Sequence, residues 1–205
     1  MRIEMGPLKM IQSIYRKLRL LKFDYYSVLL VLIVFLAIFF RIWNYRERVY
    51  IESDQTRFAQ VALYAKDHAK LPLVGPFPQA SFFTGPWWLW ILMVFYLFPF
   101  DSLTPWYFMT ILSFVFILLI AKSAYYLGGK KMAVVTALFA AVSTAQINNA
   151  FTVWNAGVDA YIGVFAIYFL INYIKSTRLV WMFLLAFSIS LGTTIHFQTA
   201  YLVPL

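Results

Sequence analysis

Long, nearly uncharged apolar runs are the feature that most limits the fold of this chain. Short polar or basic links such as Gly128-Gly129-Lys130-Lys131 separate these runs. With 63% hydrophobic and 12% charged residues, 205 residues carry more apolar surface than a soluble domain can bury. Continuous runs also argue against the period-two alternation of a β-barrel. We predict an all-α, polytopic transmembrane helical bundle with about five spans: Tyr25–Ile42, Pro105–Leu127, Met132–Ile147, Gly157–Ile174 and one more within Leu179–Leu205.

The ends of the chain suggest a single membrane domain, 1–205, which we expect to be the N-terminal part of a longer protein. Residues 1–24 hold six Lys or Arg among apolar residues at helical spacing, which predicts a cytoplasmic amphipathic segment on the membrane surface. The net charge of +9 lies mostly at span ends, which fits anionic lipid headgroups rather than nucleic acid. No polar flank closes the apolar segment that reaches Leu205.

A long first external loop, 43–104, follows the first span. Its first half predicts an amphipathic helix over Gln55–Ala69. Prolines then favour extended chain, and Gly85-Pro86 starts an apolar helix that continues to Phe100. The expected apolar face of the first helix consists of Phe58, Val61, Ala62, Ala65 and Ala69.

The distribution of positive charge predicts the topology. We place the N-terminus inside the cell. If the helix Pro86–Phe100 does not cross the membrane, eleven Lys and Arg residues lie inside and six lie outside. If it does cross, six lie inside and eleven outside. The positive-inside rule favours the first arrangement, and fifteen residues are few for a span. We therefore expect a multi-pass protein of the cell membrane with a cytoplasmic N-terminus and an external active face.

Two carboxylates are candidates for chemistry at that outer face. Asp54 begins the predicted loop helix, where it could act as a general base or simply cap the helix. Asp159 lies three residues into an apolar span, where an ionisable group is costly without a partner. It could orient an acceptor, bind a metal, pair with an arginine or cap the span.

Basic and polar residues on the same side are candidates for substrate binding. Arg46, Arg48 and Arg57 suit a lipid phosphate, since guanidinium groups match phosphate oxygens. Arg41 is more typical of a side chain that snorkels to the interface. His196 could contact substrate or serve as a hydrogen-bonded packing residue. No glycine-rich phosphate loop lies between a strand and a helix, so the pattern gives no site for a nucleotide sugar.

Several motifs, in order along the chain, resemble those of one enzyme superfamily. They are Ser53-Asp54-Gln55-Thr56-Arg57-Phe58, Leu73-Val74-Gly75-Pro76, Thr84-Gly85-Pro86-Trp87-Trp88, Trp154-Asn155 and Leu191-Gly192-Thr193-Thr194-Ile195-His196. Together they resemble the GT-C membrane glycosyltransferases, in the branch of protein O-mannosyltransferases and lipid A aminoarabinose transferases. The chain departs from the Trp-Asn-Pro-Asn element of that branch, because Ala156-Gly157 follows Asn155.

The resemblance implies a GT-C-like fold and transfer of a sugar from a polyprenyl-phosphate-linked donor. The acceptor would be a lipid, glycan or protein, with no role for nucleic acid. Asp54 would be catalytic, and no metal ligand is assigned, although some branches use a divalent cation. Two alternatives stay open: a non-enzymatic transporter or lipid-binding protein, and an inactive truncated remnant. The implied substrate-binding residues are Gln55, Arg57, Arg46, Arg48, Trp154, Asn155, Asp159 and His196.

Overall fold

The computed structural model describes residues 25–76, 83–98 and 101–204, and this part of the chain is all-helical, as predicted. The predicted segment 1–24 lies outside the described residues. The α-helices are α1 (Tyr25–Ile42), α2 (Tyr45–Arg48), α3 (Ser53–Asp67), α4 (Trp87–Leu97), α5 (Thr104–Val142), α6 (Thr144–Asn149), α7 (Asp159–Ser176) and α8 (Leu179–Ile195). Two 3-10 helices, Asn155–Val158 and Phe197–Leu202, precede α7 and follow α8.

Within the described residues, three helical stretches are long and apolar enough to cross a membrane: Tyr25–Ile42, Thr104–Val142 and Asn155–Ser176. In α1 most large side chains, Leu32 and Phe35 among them, are exposed, as expected for a surface that faces lipid. The apolar helix within the stretch Leu179–Leu205 is α8, which has 17 residues and ends at Ile195.

Two breaks divide the central apolar region. Helix α5 bends at Gly128 and Gly129, and Gly129 has a φ of 71°, in the left-handed region that favours glycine. The second half of α5 then ends at Val142. Ser143 caps the short α6 by accepting a hydrogen bond from the backbone N–H of Gln146. The predicted end of the span Met132–Ile147 is therefore wrong, since the helix stops at Val142 and does not continue through Ser143.

Arg41 lies in the protein core rather than at the interface. Its exposed fraction is 0%, so the prediction that it snorkels is wrong. The guanidinium donates to Ser113 Oγ (2.6 Å), to the Ala141 carbonyl (2.9 Å) and to the Ala140 carbonyl (3.1 Å). Carbonyls in the last turn of a helix lack intrahelical partners. Arg41 satisfies two of them and joins α1 to both halves of α5.

Helices α3 and α4, both within the loop 43–104, pack on each other through apolar faces. Phe58, Ala62 and Ala65 of α3 are buried, as predicted. Val61 is 41% exposed, and Ala69 lies beyond the end of the helix, so the predicted apolar face is too wide. Helix α4 has 11 residues and a length of about 16 Å, half the hydrocarbon thickness of a bilayer. That short length agrees with our expectation that this segment does not cross.

Candidate functional site: a polar cavity beside the external loop

A cavity of about 540 Å³ lies between the loop 43–104 and the chain around the end of α6. Its volume is within the usual range for small-molecule sites. We call it the polar cavity, and it is lined by Arg48, Tyr50, Glu52, Gln55, Asn148, Asn149, Phe151, Thr152 and Trp154.

The polar cavity has two walls, one formed by the chain around Tyr50 and the other by the chain around Phe151. Hydrogen bonds between the walls, and from the start of α5 to each wall, hold them together. The backbone N–H of Tyr50 donates to the Phe151 carbonyl at 3.1 Å, which joins the walls directly. From α5, Trp106 Nε1 donates to the Tyr50 carbonyl (3.4 Å), and Thr110 Oγ1 donates to the Ala150 carbonyl (2.9 Å). Helix α5 therefore fixes both walls from one side.

Gln55 lines this cavity and carries a buried acceptor without a partner in the described part of the chain. The side chain is 4% exposed, and its Oε1 has no hydrogen-bond partner among the described residues. A buried polar atom without a partner costs about 1–3 kcal/mol. The predicted role of Gln55 in substrate binding stays a prediction, with the residue placed in the lining of the polar cavity.

Of the three predicted phosphate-binding arginines, only Arg48 lines the polar cavity. Its Nη1 donates to the Phe40 carbonyl at 2.6 Å, and its guanidinium carbon lies 4.1 Å from the centre of the Phe151 ring. Arg46 is instead exposed, with Nη2 3.6 Å from Asp101 Oδ2. Hydrogen bonds to Asp101 hold the pKa of its carboxyl group below the usual value, and the bond from the Tyr107 hydroxyl has the largest effect.

The two acidic residues near the start of α3 occupy different environments. Asp54 does not line the polar cavity, and its Oδ1 lies 3.0 Å from Arg57 Nη2. Asp54 is also not the N-cap, because α3 begins at Ser53 and Glu52 holds that position. Glu52 lines the polar cavity and was missed from the sequence. The missed signal was its place as the N-cap, immediately before the helix that carries Gln55.

A second polar cluster joins the start of α7 to the end of α8. Asp159 Oδ2 lies 2.6 Å from His196 Nδ1, and Asp159 Oδ1 accepts a hydrogen bond from Thr199 Oγ1 at 2.6 Å. Asp159 is the first residue of α7 and lies near the start of the apolar stretch Asn155–Ser176, as predicted. Among the described residues, its side-chain partners are His196 and Thr199, and no arginine pairs with it. Thr199 was not identified from the sequence.

The Trp154-Asn155 pair is divided between two roles. Trp154 is 43% exposed and lines the polar cavity. Asn155 is buried, and its Nδ2 donates to the Ile195 carbonyl at 3.3 Å. Asn155 therefore links the 3-10 helix before α7 to the end of α8 and does not line the polar cavity.

A second cavity, of about 300 Å³, lies among α4, α5, α7 and α8. We call it the apolar cavity. Its lining is mostly aromatic and aliphatic and includes Trp88, Phe108, Val158, Phe165, Leu184 and Phe187. Trp154 lines the polar cavity and Val158 lines the apolar one. The short segment 154–158 thus contributes to both cavities.

Within the described residues, no three His, Cys, Asp or Glu side chains gather as a metal site. Comparison of the chain with protein-family models, curated proteins and solved structures gives no match. The likeness to GT-C glycosyltransferases therefore stays a prediction based on the motifs described above.

Proposed function

We propose that this protein is an integral membrane glycosyltransferase that takes its sugar from a polyprenyl-phosphate-linked donor. The observation that carries the proposal is that segment 154–158 lines both a polar and an apolar cavity. The proposed donor has the same division, with a hydroxyl-rich sugar phosphate at one end and a hydrocarbon chain at the other. Three stretches long and apolar enough to cross a membrane fit a substrate that reaches the protein from the bilayer.

The polar cavity offers groups that suit a sugar phosphate. The side-chain amides of Gln55, Asn148 and Asn149 can donate to and accept from sugar hydroxyls. The indole of Trp154 provides a flat apolar surface for a sugar ring. The Arg48 guanidinium provides charge-assisted donors for the phosphate.

The proposed reaction needs a base for the acceptor hydroxyl. As the hydroxyl loses its proton to a carboxylate, its oxygen attacks the anomeric carbon. The bond from that carbon to the phosphate oxygen breaks, and the polyprenyl phosphate leaves with the electron pair. The motif resemblance gives this base role to Asp54, whereas position in the polar cavity favours Glu52. We place the acceptor, a lipid, glycan or protein, at the external face.

The test is transfer of labelled sugar from polyprenyl-phosphate donors in proteoliposomes. We would compare the wild-type chain with Asp54→Asn, Glu52→Gln and a control, Asp67→Asn, an exposed residue at the far end of α3. We expect transfer by the wild type and the control, and loss of about a hundredfold or more in the variant that lacks the base. No transfer by the wild type from any such donor would overturn the proposal.

A lipid-binding protein without catalytic activity is the second candidate, and the apolar cavity favours it. It predicts that the protein binds a polyprenyl phosphate whether or not the sugar is present. It also predicts that neither Asp54→Asn nor Glu52→Gln changes this binding, so a binding measurement on the same variants separates the two candidates.

A further inference from the structure

Two lysines from different helices converge on one tyrosine ring at the end of the bundle that lies away from the polar cavity. The Nζ of Lys122, in the first half of α5, lies 5.0 Å from the ring centre of Tyr126. The Nζ of Lys175, in the last turn of α7, lies 4.1 Å from the same ring centre. Tyr126 stacks on Tyr168, which in turn contacts Trp181 of α8. Three helices therefore hold this cluster of aromatic and lysine side chains.

The cluster lacks a nearby carboxylate among the described residues of the helices that form it. No Asp or Glu occurs in residues 102–158 or 160–205. Asp159 is 16 residues before Lys175 on the same helix, which places it about 24 Å away along the axis. The ring faces and the helix end supply only partial negative charge. Two ammonium groups on one ring repel each other, so a bound anion would stabilise this arrangement.

The surroundings indicate that this anion comes from the bilayer. Leu127, Ile174 and Leu179 flank the cluster and are 67%, 68% and 75% exposed, as for side chains that meet lipid. Tyrosine and tryptophan side chains are enriched where the hydrocarbon core meets the headgroups. Lys122 and Lys175 are exposed beside these aromatic rings, and a lysine so placed can extend its ammonium group towards lipid phosphates. Lys131 and Arg178, in the adjoining links, add positive charge.

We propose that Lys122, Lys175 and Tyr126 form a binding site for the phosphate of an anionic glycerophospholipid. The ammonium groups would contact the phosphodiester oxygens, and the acyl chains would lie against the exposed leucine and isoleucine side chains. This site is separate from both cavities and does not depend on the proposed function.

The test is native mass spectrometry of the full chain, extracted from bilayers that hold equal amounts of phosphatidylglycerol and phosphatidylcholine. The wild type should retain phosphatidylglycerol selectively. The Lys122→Gln/Lys175→Gln variant should lose about thirtyfold of that affinity, since each basic residue near an anionic lipid surface contributes about fivefold. The matched control, Lys66→Gln/Lys70→Gln, removes two lysines from α3 and the chain just after it and should behave as the wild type.

Three results would overturn the proposal. The first is equal retention of both lipids by the wild type, a measurement that does not depend on how any variant folds. The second is unchanged retention of phosphatidylglycerol by the Lys122→Gln/Lys175→Gln variant. The third is displacement of the lipid by an equal concentration of inorganic phosphate, which would show a site for free phosphate instead.

Discussion

His196 Nδ1 lies 2.6 Å from Asp159 Oδ2, so the first residue of α7 is tied to the residue that follows α8. Thr199 donates to the other oxygen of the same carboxylate. Because segment 154–158 directly precedes Asp159, this cluster fixes the chain that lines both the polar and the apolar cavity.

We predict that Asp159→Leu destabilises the protein by about 1–3 kcal/mol. Leucine has no hydrogen-bonding group, so His196 and Thr199 both lose their partner in a partly buried place. The measurement is thermal or denaturant unfolding in detergent. Asp67→Asn removes an exposed carboxylate and should change stability by less than about 0.5 kcal/mol. Equal stability of the two variants would contradict the structural role of Asp159.

Arg41→Lys should destabilise the protein by about 2 kcal/mol. An ammonium group lacks the planar set of donors that lets Arg41 reach Ser113 and two carbonyls together, so at least one buried acceptor is left unpaired. The control is Arg46→Lys at a side chain that is 80% exposed, where we expect less than about 0.5 kcal/mol. If the two arginines tolerate lysine equally well, the buried position of Arg41 is not what stabilises α1 against α5.

Gly192→Ala and Gly163→Ala should have opposite effects, although both glycines lie in apolar helices. A Cβ at Gly192 would approach Thr199 Cγ2 to 2.5 Å and Ile162 Cδ1 to 2.8 Å, whereas a Cβ at Gly163 meets nothing within 4 Å. Overpacking of this kind costs about 1–3 kcal/mol. In contrast, alanine at an open helix position is up to about 1 kcal/mol more favourable than glycine. Unfolding midpoints of the two variants would test this, and a stable Gly192→Ala variant would contradict the close contact of α8 with Thr199.

The Tyr45 hydroxyl should make stability depend on pH in the alkaline range. Burial raises the pKa of Tyr45 to about 12, with a smaller opposing effect from its hydrogen bond with Thr110. Its pKa in the unfolded chain is about 10. Between these values the folded state keeps a proton that the unfolded chain has lost. This contribution is therefore complete below about pH 10 and is lost as the pH rises to about 12.

Comparison of the wild type with Tyr45→Phe isolates this effect from all other titrating groups. Across that pH range the unfolding midpoint of the wild type should fall more steeply than that of the variant. Parallel curves for the two proteins would show that Tyr45 ionises with equal ease in the folded and unfolded states.

The sequence predicts the helical class and the apolar stretches because these depend on local composition. The sites depend on contacts between distant positions. Arg41 is buried because Ser113 and Ala141, 72 and 100 positions away, supply acceptors that no local pattern reveals. The carboxylate in the polar cavity is Glu52 rather than Asp54 because α3 begins at Ser53. A sequence pattern places the start of a helix only to within one or two residues. An error of that size is enough to change which of the two carboxylates, Glu52 or Asp54, is expected in the cavity.

The most direct test of the central claim is photo-crosslinking with a polyprenyl-phosphate sugar that carries a photoreactive group in its hydrocarbon chain. With the wild type in proteoliposomes, we predict crosslinks to lining residues of the apolar cavity, such as Phe165, Leu184 and Phe187. Excess unlabelled donor should suppress them, and so should Gln55→Leu in the polar cavity. Crosslinks confined to the outer surface of α1, at Leu32 or Phe35, and insensitive to Gln55→Leu would contradict the claim that one ligand occupies both cavities.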